Sequence, residues 1–116
     1  MKISANRWNI IQRIIREYPD TKKELEATDQ EGPYLDRLGR EVEAVEEAYA
    51  LLTPEERKVI EERFWTISDK NKSYEKIWDT GYSPRQMRRI AKKMTVLTGQ
   101  KLGEIRPTDI AQDKRP

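Results

Sequence analysis

The residues best suited to chemistry in this sequence are basic, and they are concentrated near its C-terminus. Residues 1–81 hold 14 basic and 18 acidic residues, whereas residues 82–103 hold six basic residues and no acid. A basic segment on an acidic body points to a polyanionic partner, because ordinary surface helices mix charges of both signs. The six residues are Arg85, Arg88, Arg89, Lys92, Lys93 and Lys101.

Most of this basic segment is predicted to be one helix, from Ser83 to about Thr98, with Gly99 or Gly103 able to end it. Ser83 is a suitable N-cap, and Pro84 suits the first helical position. At about 100° per residue, one face of this helix is apolar and the opposite face is basic. The apolar residues, which we expect to pack in the core, are Met87, Ile90, Ala91, Met94 and Leu97.

The exposed residues of this helix suit recognition of double-stranded DNA. Arg85 and Arg89 are predicted to bind guanine edges in the major groove, and Gln86 is predicted to pair with adenine. Phosphate contacts fix the register without reading sequence, and a helix N-terminus also favours phosphate. The residues predicted to contact phosphate are Ser83, Arg88, Lys92 and Lys93.

Two further helices are predicted to support this one in a helix-turn-helix unit. Ser73–Thr80 is the expected first helix of the motif, and Gly81 and Tyr82 form the turn. Pro54–Trp65 is the expected third helix, and Thr53 and Glu56 match a capping box at its start. The predicted C-terminal domain therefore covers residues 53–103.

The remaining chain is also predicted to be helical, so the expected fold class is all-α. Ser4 begins a helix that Pro19 should end at Tyr18, and a short helix should run from Asp20 or Thr21 to about Glu26. A long middle helix should begin near Tyr34. Residues 1–52 form the predicted N-terminal region, with self-association into a homo-oligomer, and residues 104–116 a disordered tail. The apolar stripe of the long helix is Leu35, Leu38, Val42, Val45, Tyr49 and Leu52, and intramolecular core is favoured over a dimer seam.

An enzyme is the main contrasting class, and the composition argues against it. The chain has no histidine and no cysteine, so the commonest general base and the thiol nucleophile are missing. We expect no catalytic residues, no metal site and no cofactor. No apolar stretch approaches the roughly 20 residues that span a bilayer, so a cytoplasmic protein without membrane contact is expected.

The segment from Leu52 to Met94 resembles region 4 of bacterial sigma factors. The resemblance covers about a third of the chain, and it implies a helix-turn-helix fold and RNA polymerase as a candidate partner. The Ile77–Gly81 spacing is one residue shorter than the usual pattern, and Glu62 replaces an apolar residue. The matching residues are Leu52–Arg57, Val59, Ile60, Arg63, Phe64, Ser73–Glu75, Ile77 and Gly81–Ser83.

The whole layout is similar to that of ArpU/RinA-type phage transcriptional regulators. The likeness is carried by the N-terminal helix ending in residues 16–25, the linker, the long helix and the C-terminal unit. It implies control of late genes in phages or prophages. Two alternatives stay open: a small terminase-like DNA-packaging subunit, and an adaptor whose basic helix binds an acidic protein, such as an RNA polymerase element.

Overall fold

Every element described in the computed structural model is helical, which confirms the predicted all-α class. The structure describes residues 3–29, 31–65 and 80–105, and no strand occurs in those ranges. The helices are α1 (Ala5–Glu26), α2 (Pro33–Ala50), α3 (Pro54–Ile60), which continues as a π-helical turn (Glu61–Trp65), and α4 (Pro84–Lys101).

Helix α1 is longer than predicted, because Pro19 does not end it. The helix continues without a break to Glu26, so the predicted end at Tyr18 is wrong. The separate short helix expected from Asp20 or Thr21 is the last part of α1. One long helix therefore replaces the two that the conformational preference of a pre-proline residue suggests.

A contact from the end of the π-helical turn explains how α1 accommodates the proline. Pro19 has no backbone N–H, so it cannot donate the helical hydrogen bond to the carbonyl of Ile15. The indole N–H of Trp65 donates to that carbonyl instead, at 2.7 Å. A tertiary hydrogen bond thus replaces the missing helical one.

Helix α2 matches its predicted start and its predicted apolar stripe. It begins with Pro33 at the first position, one residue before the expected Tyr34. Its central stripe residues are buried, and the half-buried Leu35 and Tyr49 lie towards its ends. The buried members of the stripe are Leu38, Val42, Val45 and, just beyond the helix, Leu52.

Helix α3 begins with the predicted capping box. The Thr53 hydroxyl accepts a hydrogen bond from the Glu56 backbone N–H at 3.2 Å, and a Glu56 carboxylate oxygen accepts one from the Thr53 N–H at 2.9 Å. Helical structure then extends to Trp65, as predicted, although its last five residues form a π-helical turn. This reciprocal pair satisfies two backbone donors that a helix start otherwise leaves open.

A single hydrophobic core joins all four helices, so the predicted boundary at residues 52 and 53 does not separate two cores. Ile11 and Ile15 of α1 and Val45 of α2 pack in the same cluster as Phe64 and Met94. Each of these five side chains is at most 1% exposed. The N-terminal region and the C-terminal helices therefore depend on one another for burial.

Of the two glycines predicted as able to end α4, only Gly103 follows the helix. Gly103 has φ = +77°, the left-handed conformation that commonly follows a helix, whereas Gly99 lies inside α4. Ile105 is 2% exposed and packs against Gly99 and the rest of the core. The folded chain thus extends at least two residues into the predicted tail, and residues 106–116 lie outside the described ranges.

Candidate nucleic-acid interface

A turn and a capping box fix the start of the basic helix α4. Gly81 has φ = +80°, a conformation that glycine adopts without the strain a Cβ would cause. The Ser83 hydroxyl accepts a hydrogen bond from the Gln86 N–H at 3.2 Å, and the Gln86 side-chain oxygen accepts one from the Ser83 N–H at 2.9 Å. Ser83 is therefore the predicted N-cap, and Gln86 has a structural role that the sequence analysis did not assign.

The apolar face of α4 is buried as predicted. Met87, Ile90, Ala91 and Met94 are each at most 6% exposed and belong to the core cluster, while Leu97 is half-buried. This face packs in the cluster that includes Ile60 and Phe64, as expected. Because these side chains are fixed inside the protein, the opposite face of α4 must point outward.

The outward face of α4 is its basic face, which carries five of the predicted basic residues. Arg85, Arg88, Arg89, Lys92 and Lys93 are all exposed. Within the described ranges, no carboxylate lies at ion-pair distance from Arg85, Arg89 or Lys92. These three cations therefore add a concentrated positive charge to one side of the helix.

Lys93 differs from Arg85, Arg89 and Lys92 because, among the described residues, a carboxylate contacts it. Its ammonium nitrogen lies 3.2 Å from both oxygens of Glu56, the residue that closes the α3 capping box. The hydrogen bond from the Thr53 backbone N–H, followed by the contact with Lys93, holds the pKa of Glu56 below its ordinary value. Glu56 is therefore a fixed negative charge at the edge of the basic face.

Lys101 lies apart from the basic face. Its ammonium group is 3.8 Å from a carboxylate oxygen of Glu47 on α2. This exposed ion pair links the end of α4 to the acidic surface of α2, so Lys101 contacts α2. The five residues of the basic face are therefore Arg85, Arg88, Arg89, Lys92 and Lys93.

Part of the expected helix-turn-helix unit lies outside the described residues. Residues 73–79 of the predicted first helix are among them, and this range includes Tyr74, Ile77 and Trp78. At the end of that segment, the Thr80 hydroxyl donates a hydrogen bond to the Met87 sulfur at 3.6 Å. The structure thus describes two of the three predicted helices of the unit, α3 and α4, packed around a shared apolar face.

Sequence reasoning did not identify a cluster of three aromatic rings, which α1, α2 and the π-helical turn contribute. The ring centroids of Tyr18 and Trp65 are 5.2 Å apart, and those of Tyr49 and Trp65 are 5.4 Å apart. Tyr18 and Tyr49 lie on the apolar stripes of α1 and α2, where their spacing predicts packing in the core. Only the tertiary fold brings them to Trp65, so no local sequence signal marks the cluster.

Comparisons with protein-family models, with curated proteins and with solved structures found no significant match. Among the described residues, no helix is both long enough and apolar enough to cross a membrane. Fold class and site geometry therefore carry the functional argument.

Proposed function

We propose that this chain is a sequence-specific DNA-binding transcriptional regulator that places α4 in the major groove. The observation that carries the proposal is the division of α4 into a buried apolar face and an exposed basic face. A helix whose one side is fixed in a core can present its other side to a groove about 12 Å wide. The start of α4, which would approach the bases, is held by the Ser83 cap.

We assign different tasks to Gln86 and to the residues of the basic face. Arg85 and Arg89, near the start of α4, suit bidentate contacts to guanine. Gln86 uses its side-chain oxygen in the cap, so its amide NH₂ group remains the donor for a base or phosphate. Arg88, Lys92 and Lys93 suit phosphate. To bind it, Lys93 must exchange its contact with Glu56 for a phosphate oxygen.

The resemblance to sigma region 4 supports a helix-turn-helix in which residues 73–80 precede the turn at Gly81. The resemblance to ArpU/RinA-type regulators supports a role at phage or prophage late genes, with RNA polymerase as a further partner. Self-association is part of the same proposal. Exposed apolar side chains in the N-terminal region support it, since Ile10 is 47% and Leu51 58% exposed.

Selection of bound fragments from genomic DNA, followed by titration of the selected site at several salt concentrations, tests the proposal. Wild-type protein should prefer the selected site over random DNA at physiological salt. Arg89→Ala should reduce that preference by about fivefold or more, because one base contact discriminates by about 1–3 kcal/mol. Lys92→Ala should weaken binding to all sequences and lower the salt slope by about 1.

Lys23→Ala is the matched control, because this exposed lysine lies in the last turn of α1, away from α4. It should leave both affinity and preference unchanged. Equal affinity of the wild type for selected and random DNA would contradict a sequence-specific regulator. Salt-insensitive or absent DNA binding would favour the adaptor, and a ring-sized solution mass would favour the packaging subunit.

A further inference from the structure

The three-ring cluster forms one wall of a cleft of about 480 Å³ between α1, α2 and the π-helical turn. Clefts of this size commonly hold small molecules. Two carboxylates and one buried valine complete the described lining, and none of the lining residues is basic. The lining residues are Tyr18, Val45, Glu46, Tyr49, Glu61 and Trp65.

Each ring of the cluster is held by a hydrogen bond from its own polar atom. The Tyr18 hydroxyl donates to Glu46 at 2.7 Å, and the Tyr49 hydroxyl donates to Glu61 at 2.5 Å. The indole N–H of Trp65 donates to the Ile15 carbonyl. The rings are therefore oriented before any ligand arrives, which lowers the entropic cost of binding.

The phenols stay neutral donors throughout the physiological range. Burial, followed by the hydrogen bond to Glu61, raises the pKa of Tyr49 to about 12. Burial also raises the pKa of Tyr18. The hydrogen bond from Lys22 lowers the pKa of Glu46, so this carboxylate remains charged.

Two cations of the protein already use these rings. The Lys22 ammonium lies 5.9 Å from the Tyr18 ring centroid, and the Arg57 guanidinium lies 5.2 Å from that of Tyr49. Arg57 is anchored by hydrogen bonds to the carbonyls of Tyr49 and Ala50, and neither cation lines the cleft. Lys22 is likewise held by Glu46, at 2.7 Å, so both tyrosine rings lie beside cations that other groups position.

We propose that this cleft binds a small alkylated ammonium cation, with Tyr18, Tyr49 and Trp65 as its aromatic cage. Such a cation combines a positive charge, which aromatic faces and nearby carboxylates stabilise, with methyl groups that suit the apolar walls. A primary ammonium is more strongly hydrated and would lose more on entering a cleft of this composition. None of the cleft's lining residues belongs to the basic face.

Choline is a direct probe, and its uncharged isostere, in which a tert-butyl group replaces the trimethylammonium group, is the matched control ligand. The readout is the indole N–H resonance of Trp65, assigned by its loss in Trp65→Phe. Choline should shift this resonance saturably and bind about tenfold or more tightly than the isostere, a difference of about 1.4 kcal/mol that a desolvated cation–π contact can supply.

Tyr49→Leu should weaken choline binding by about tenfold, whereas Tyr49→Phe, which keeps the ring, should bind within a few-fold of wild type. Tyr34→Leu is the control variant, because Tyr34 is exposed and absent from the cleft lining. Equal affinity for choline and its isostere would overturn the proposal, and so would no shift of the Trp65 resonance at tens of millimolar choline. The ligand comparison uses wild-type protein, so the test holds even if Tyr49→Leu does not fold.

Discussion

The indole nitrogen of Trp65 lies 2.7 Å from the carbonyl oxygen of Ile15, where Pro19 cannot provide the helical donor. The two residues are 50 positions apart in the sequence, so this hydrogen bond ties α1 to the end of the π-helical turn. An interior proline usually kinks or breaks a helix at a cost of about 3 kcal/mol. Here the freed carbonyl becomes an acceptor for tertiary structure.

We expect Trp65→Phe to lower the free energy of unfolding by about 1–3 kcal/mol, because the Ile15 carbonyl loses its donor. In a Pro19→Ala background the new backbone N–H can donate to that carbonyl. The penalty of Trp65→Phe should then be smaller by about 1 kcal/mol. Urea unfolding of the wild type, both single variants and the double variant measures this coupling. An identical penalty in both backgrounds would show that the hydrogen bond does not compensate for the proline.

Gly99 is predicted to resist replacement by a larger residue. A Cβ at this position would lie 2.5 Å from Cδ1 and 2.7 Å from Cγ1 of Ile105, and 2.9 Å from Cδ1 of Ile11, so these two buried side chains would have to shift. Gly99→Ala should therefore destabilise the fold by about 1–3 kcal/mol in chemical denaturation.

Gly39→Ala is the matched control for this substitution. Gly39 also lies inside a helix, but nothing stands within 4 Å of its Cβ position. Replacing it should stabilise the protein by about 0.5–1 kcal/mol through helix propensity. If both substitutions stabilised the protein equally, the contact between α1 and α4 at Gly99 would not be as close as described.

Glu56→Gln is predicted to raise the affinity for DNA. The amide can keep the capping box with Thr53 but no longer holds Lys93 by charge, so Lys93 becomes available to phosphate. The expected gain is about fivefold, since a pair of this exposure contributes up to about 1 kcal/mol. Titration by fluorescence anisotropy at fixed salt measures it. Glu55→Gln removes a neighbouring charge without this contact, so an equal gain in both variants would point to net charge alone.

The same carboxylate should make the fold sensitive to acid. The pKa of Glu56 is lowered from 4.5 in the folded protein, so its ionised form stabilises the fold above pH 4.5. This contribution is lost as the pH falls below 4.5 towards the lower folded value. The unfolding free energy of the wild type should therefore fall relative to that of Glu56→Gln in this range, and their difference should be constant at higher pH. A difference that does not change with pH would contradict the lowered pKa.

Local sequence signals predicted the helix starts better than the helix ends. Ser4, Thr53 and Ser83 all cap the helices assigned to them, because a capping side chain acts within three residues of itself. The end of α1 was predicted wrongly because the donor that compensates for Pro19, the indole N–H of Trp65, is distant in sequence from the Ile15 carbonyl that it binds. The sequence also did not predict that the folded chain continues to Ile105, because one apolar residue among polar ones shows no periodicity.

The exposed and buried faces of α4 were predictable because helical periodicity separates Met87 and Met94 from Arg85 and Arg89. Not all contacts of these faces were predictable. The contact between Lys93 and Glu56 joins two helices, and spacing along the chain does not determine it. The capping box of Ser83 and Gln86 did have a local signal, the Ser-x-x-Gln spacing, which the sequence prediction did not use. The three-ring cluster could not be predicted from the sequence, because three different helical segments contribute its rings.

The shared core also determines what can be moved from this protein to another. A shortened chain beginning at Thr53 would leave behind Ile11, Ile15 and Val45, and the apolar faces of α3 and α4 would lose the side chains that cover them. The basic helix α4 therefore cannot be transferred alone. Its orientation depends on packing against α1, at the opposite end of the sequence, and a chimeric protein that uses α4 must also carry α1.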